Sequence, residues 1–140
     1  MSQFILDEQL LLDRVLLPIR KWASVKRIDE LRPGEVIKDE RIASFLQQIQ
    51  DPTFVTIDAG FWKSHYCHPR YCILYFALRD NQQEELPPML RKLCQPAEFK
   101  TKKTRMGKVV KIGRGKIEWW ERGISSPRRL RVVLKYGFRR

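Results

Sequence analysis

Short apolar runs alternate with stretches whose apolar residues recur every three or four positions, and this texture holds over roughly the first hundred residues. Gln3 to Leu6 is a brief apolar run that ends abruptly in Asp7 and Glu8, as a short strand does. Leu10, Leu11, Leu12, Val15, Leu16 and Leu17 then supply the apolar face of a helix. Pro18 must kink that helix, end it or open a second turn carrying Ile19 and Trp22. A short strand is expected over Ser24 to Ile28, followed by a Pro-Gly turn in Leu31-Arg32-Pro33-Gly34-Glu35. From Asp39, a candidate N-cap, the spacing of Ile42, Phe45, Leu46 and Ile49 predicts an amphipathic helix, which Asp51-Pro52 stops. Thr53 to Ile57 is a β-branched and aromatic run suited to a buried strand, and it ends in Asp58. Tyr71 to Leu78 reads as a second buried strand, and Glu84 to Leu93 as a short helix whose Pro87 and Pro88 are tolerated only in its first turn.

Strand, helix, strand, helix, strand is the order of an α/β domain with a mainly parallel sheet. Beyond Lys100 the texture changes. Lys108 to Ile112 and Lys116 to Trp120 flank Gly113-Arg114-Gly115 as a β-hairpin would, and Leu130 to Tyr136 reads as a further strand. Alternation along this hairpin sends one of Trp119 and Trp120, not both, toward the core.

Composition narrows the picture. With 140 residues and 43% apolar content the chain suits one domain with one ordinary core. No apolar run reaches the roughly 20 residues of a membrane span. The opening MSQFILDEQ has no basic stretch ahead of an apolar run, and three cysteines without an export signal fit reduced thiols, so a cytoplasmic location is expected. The 28 Lys and Arg outnumber the 16 Asp and Glu by +12. All of that excess lies after residue 96: the preceding part carries 13 of each sign, and residues 97 to 140 carry 15 basic against 3 acidic residues. Lys100, Lys102, Lys103, Arg105, Lys108, Lys111, Arg114, Lys116, Arg128, Arg129, Arg131, Arg139 and Arg140 interleave with Trp119, Trp120, Tyr136 and Phe138. That mixture suits phosphate contacts with base stacking, and equally an acidic protein partner or a plain solvated face.

Ligands of open α/β sheets bind outside the carboxyl ends of the strands, where Asp7 and Asp58 both fall, with Asp39 at the start of the intervening helix. Three converging carboxylates make a hard oxygen site for Mg²⁺ or Mn²⁺. The ordinary alternatives stand beside this: Asp39 as a cap with Glu40 favoured by the helix dipole, Asp7 with Glu8 as a helix start, Asp58 as a structural strand-end acid. His65, Cys67, His68 and Cys72 crowd within eight residues but lack the paired knuckles of a structural zinc site, and Cys72 in a strand suits a buried core thiol.

The elements Phe4-Ile5-Leu6-Asp7-Glu8, Lys38-Asp39-Glu40-Arg41-Ile42 and Phe54-Val55-Thr56-Ile57-Asp58-Ala59-Gly60-Phe61-Trp62, in that order, resemble the PIN-like nucleases of toxin–antitoxin systems, relatives of the VapC ribonucleases. His68-Pro69-Arg70-Tyr71 before an apolar strand and Gly107-Lys108-Val109-Val110 before a closing hairpin add to the likeness, which covers about residues 3 to 120. The resemblance implies a Rossmann-like α/β/α sandwich with a mainly parallel central sheet over 1–120, and a basic extension over 121–140. It also implies metal-dependent hydrolysis of RNA, with Asp7, Asp39 and Asp58 as catalytic metal ligands for Mg²⁺ or Mn²⁺ and Glu8 and Glu40 behind them. Lys100, Lys102, Lys103, Arg105, Arg114, Arg128, Arg129 and Arg131 are then the candidate RNA contacts. The implied partners are an RNA substrate and a cognate antitoxin, with self-association left open and no membrane. Where the family pattern Thr-x-Asp-x-Asp-Phe has its second acid, this chain has Gly60, a loss that weakens a two-metal site while leaving ligands for one ion. A binding module of the same fold, or a purely structural subunit, are the alternatives.

Overall fold

The structure, a computed structural model, describes residues 3–35, 37–113 and 115–130. Strand β1 is Gln3–Leu6. A wide turn over Leu12–Leu16 runs into α1, Leu17–Arg20, with Pro18 in its first turn. Then follow β2 (Ser24–Arg27), α2 (Ile28–Leu31), α3 (Asp39–Leu46) and β3 (Thr53–Thr56). Two single turns, Ala59–Phe61 and Ser64–Tyr66, lead to β4 (Cys72–Phe76). A tight turn over Asp80–Glu85 leads into α4 (Leu86–Leu93), whose prolines sit at its start as required, and α5 is Lys102–Arg105. β5 (Lys108–Gly113) and β6 (Lys116–Glu121) form the expected hairpin, with Gly115 at φ +86° in its two-residue turn, and β7 is Arg128–Leu130.

The strands make one sheet in the order β2-β1-β3-β4-β5-β6-β7, parallel from β2 to β5 and antiparallel at β6 and β7. The chain is therefore α/β with a mainly parallel sheet. β7 pairs with β6, so the described part of the predicted extension continues the sheet, and the rest of the expected strand to Tyr136 lies outside the described residues.

Period-two alternation divides the core into two layers. Phe4, Leu6, Val55, Leu74, Phe76, Val110 and Ile112 face Leu16, Ile19 and the buried side of α4. Ile5, Phe54, Ile73 and Val109 face Ile42, Phe45 and Leu46 of α3, together with Phe61 and Tyr71. Helices thus cover both faces. Trp119 is buried in the first layer, and Trp120 packs on the second against Trp62, so both tryptophans contribute to packing, one on each side. The expected helical face at 10–17 is corrected: Leu10, Val15 and Leu16 are buried while Leu11, Leu12 and Leu17 are exposed, because the wide turn at Leu12–Leu16 breaks the regular helical phase.

Candidate active site

After β2 the chain crosses back over β1 to lay down β3 on its other side, and that reversal opens a crevice outside the carboxyl ends of β1 and β3. Asp7 follows β1 directly, and its N–H donates to the Val55 carbonyl at 2.9 Å. Asp58 follows β3 by one residue. Asp39 is the first residue of α3, not its cap: Lys38 holds the cap position, so the helix needs no carboxylate there.

Each acid has its own environment. Asp7 is only 7% exposed. Its carboxylate accepts hydrogen bonds from Thr56 Oγ1 at 2.7 Å, the Glu8 N–H at 2.8 Å and Gln9 Nε2 at 3.4 Å. Burial pushes its carboxyl above the usual range and the charges of Asp58 and Glu8 add to this, while the bonds from Thr56 and Glu8 oppose it. Asp58 accepts the Gly60 N–H at 2.9 Å, and its own N–H donates to Thr56 Oγ1 at 3.0 Å. The Thr56 hydroxyl therefore links the two strand-end acids. Asp39, though exposed as a residue, has a carboxyl pushed up to about 6. Partial burial is the largest cause, followed by the neighbouring Asp58 carboxylate and the charges of Asp7 and Glu40. All three acids are thus in mutual electrostatic reach. Among the described residues no three His, Cys, Asp or Glu side chains are closed up at metal-ligand spacing; hydrogen bonds hold Asp7 and Asp58. Glu8 and Glu40 are exposed beside them.

Three contributors escaped sequence reasoning. Thr56 shares a sheet face with Asp58 two residues on, a spacing that period-two alternation would have flagged. Tyr75 lies opposite Thr56, and its phenol is raised by burial and by the charge of Asp58. Asp80, just past β4, joins Gln9, Asp58 and Leu78 in lining the crevice and accepts from Gln83 Nε2 at 3.0 Å.

The predicted basic contacts divide. Arg105 is corrected outright: it is wholly buried, with Nε donating to Thr53 Oγ1 at 3.0 Å and Nη1 to the Phe99 carbonyl at 2.9 Å, and its guanidinium lies over the Phe4 ring. It ties the amino ends of β1 and β3 to the chain before β5. Lys100, Lys102 and Lys103 lie at that amino edge too, separated from the acids by the length of β3, about 10 Å. Arg128 and Arg129 are exposed and paired with Glu121 at 3.4 Å and Glu118 at 3.3 Å. Arg114 and Arg131 lie outside the described residues. Cys72 is a core thiol, pushed up to about 12 by burial, while His65 packs on Tyr66 and His68 stacks on Tyr71.

Comparison with family models, with curated proteins and with solved structures gives no match. The geometry itself therefore carries the functional argument. No helix among the described residues is long and apolar enough to cross a membrane.

Proposed function

We propose that the protein is a metal-dependent ribonuclease of the PIN-like kind, the toxin half of a toxin–antitoxin pair. What supports this reading is the geometry at the sheet reversal: Asp7 and Asp58 follow the carboxyl ends of adjacent strands and are bridged by the Thr56 hydroxyl, and Asp39 at the start of α3 is near enough for both to raise its carboxyl. Crowded carboxylates weaken the fold unless protons or a cation offset their charge, and perturbed acids of this kind cluster at functional sites. The donor set is oxygen only and negatively charged, which fits a hard divalent ion, and Asp7, Asp39 and Asp58 would hold it. When bound, Mg²⁺ or Mn²⁺ supplies charge neutralisation for a phosphodiester and a nucleophile at neutral pH. The chain's own part is to hold the acids in place: Thr56 fixes Asp7 and the Asp58 backbone, and Gly60 donates to Asp58. The family's second acid position, here Gly60, favours one catalytic reduction as a second reading: a PIN-like module that binds nucleic acid or a partner with weakened hydrolysis.

The test is Mg²⁺- or Mn²⁺-dependent cleavage of a mixed RNA pool by wild type and by Asp58→Asn, with chelator controls. Cleavage abolished by the substitution and by the chelator is expected. Equal cleavage by both proteins refutes the site, and no cleavage by folded wild type leaves the binding module.

A further inference from the structure

We infer that the sheet face running from Asp58 across Tyr75 to Lys111 is a track for a single-stranded polynucleotide, with the Tyr75 ring as a stacking platform and Lys111 as a phosphate contact. The acid end of this track rests on the nuclease reading above. The track itself rests on strand register.

Thr56, Tyr75, Lys111, Glu118 and Arg129 are successive cross-strand partners from β3 to β7, and Asp7, the residue after β1, accepts the Thr56 hydroxyl at the end of the row. Partners in one row share one face of a sheet. One row nearer the amino ends, on that same face, stand Ile5, Phe54, Ile73, Val109 and Trp120, all within the apolar layer under α3 and the Phe61–Tyr71 segment. The face thus changes from wholly apolar to wholly polar in a single step along the strands; Thr56 is buried against Asp7, and from Tyr75 to Lys111 the row is only half-buried. A covered face would have continued the apolar pattern, as the neighbouring row does.

The chemistry along the row is ordered. Asp7 and Asp58 occupy one end, and an aromatic ring within the electrostatic reach of Asp58 comes next. A lysine follows, whose side chain makes no hydrogen bond or ion pair with another described residue. Beyond it Glu118 is engaged by Arg129 at 3.3 Å. From β1 to β5 the row spans three strand spacings, about 14 Å, a length that a few extended nucleotides match. A ring set half into a sheet face is accessible to an unstacked base, whereas bases inside a duplex present no free face to it, so the occupant is single-stranded. The track also differs from the sequence-based expectation, in which Lys100, Lys102 and Lys103 held the substrate, because those lysines lie at the opposite ends of the strands.

The experiment measures fluorescence anisotropy of a labelled mixed-sequence single-stranded RNA of ten nucleotides, the DNA of the same sequence and the RNA duplex, all in chelator so that binding is read without cleavage. The proteins are wild type, Lys111→Gln, Tyr75→Leu, Tyr75→Phe and the double variant Lys102→Gln/Lys103→Gln. Lys111→Gln should weaken single-strand binding about fivefold and lower the slope of log affinity against log salt by about one. Tyr75→Leu should weaken it about tenfold, with Tyr75→Phe and the double variant within about twofold of wild type. Equal losses for RNA and DNA mark recognition of any single strand, and a loss confined to RNA marks contacts to the 2′-hydroxyl; both support the track. Wild-type affinity in Lys111→Gln, a loss seen only in the double variant, a preference for duplex, or no single-strand binding by wild type would each overturn it. Lys111-dependent binding without metal-dependent cleavage would keep the track and remove the nuclease reading, so the two fail separately. Lys111→Gln removes only a partly exposed charge and decides the matter even if Tyr75→Leu does not fold.

Discussion

Replacing Asp58 by Asn should stabilise the protein at neutral pH and flatten its response to acid. Asp39 sits at about 6 in the folded chain against an ordinary 3.8, so the folded state holds its proton more tightly than the unfolded state does. A raised carboxyl of this kind contributes most to stability below about pH 4, and that contribution is lost as pH rises through about 6. Asp7, also raised, acts with the same sign. Unscreened, the gap for Asp39 corresponds to about 3 kcal/mol, and the exposure of that residue reduces it to about 1 kcal/mol. Asn at position 58 removes one of the charges acting on Asp39 while keeping an oxygen for the Gly60 N–H. Urea unfolding followed by tryptophan fluorescence at several values between pH 4.5 and 7.5 reads the effect in both proteins. Because burial, the largest cause of the Asp39 shift, is left in place, the stability difference should be near zero at the acid end and grow to only about 0.5 kcal/mol in favour of Asp58→Asn at the neutral end. Asp29, lowered chiefly by its hydrogen bond with Arg27, has the opposite pH dependence and cancels in the comparison. A difference independent of pH, or a variant less stable throughout, would refute the coupling of these acids.

Arg105→Ala should destabilise by about 3–5 kcal/mol, since it leaves a cavity and removes the donors to Thr53 and Phe99, whereas Lys103→Gln in the same short helix should change stability by less than about 0.5 kcal/mol; chemical denaturation separates the two. Thr56→Val keeps the shape but removes the donor to Asp7, and should cost about 1–2 kcal/mol at pH 7, a deficit that shrinks near pH 4 as Asp7 takes up a proton; equal deficits at both pH values would count against the Thr56–Asp7 bond. Gly60→Asp places a Cβ 3.2 Å from Asp58 Oδ1 and adds a carboxylate, so thermal melting without metal should fall and the rise in melting temperature on adding Mn²⁺ should exceed that of wild type. An unchanged Mn²⁺ response would show that position 60 does not face the acids.

The strands were legible where alternation or a continuous apolar run was strong: Gln3 to Leu6 and the Lys108 to Trp120 hairpin match the structure closely. The stretch at Leu10 to Leu17 was not, because a wide turn shifts which leucines face inward, and six clustered apolar residues carry no mark of that shift. The placement of Asp7 and Asp58 at one edge of the sheet was legible, since strand ends in a parallel sheet share an edge. The fate of the basic residues was hidden for a physical reason. Net charge records how many cations a segment carries, not at which end of a strand each one falls, and Arg105 reads like its neighbours until its hydrogen bonds to Thr53 and Phe99 are seen. Tyr75 and Lys111 were equally silent, because their common row exists only once β4 and β5 are in register.

The buried arginine also bears on how the chain is made. Asp7, Asp39 and Asp58 have all been synthesised by residue 58, yet β3, which positions Asp58, is clamped at its amino end by a side chain 52 residues away from Thr53. Contacts of such long sequence separation close late, since loop entropy must be overcome before they contribute. A nascent chain that has emerged only as far as α4 therefore carries all three acids without the clamp, and without β5 at the flank of β4. Assembly of the crevice is thereby coupled to arrival of the last third of the chain, so that its acids are not locked in place until Arg105 has been made.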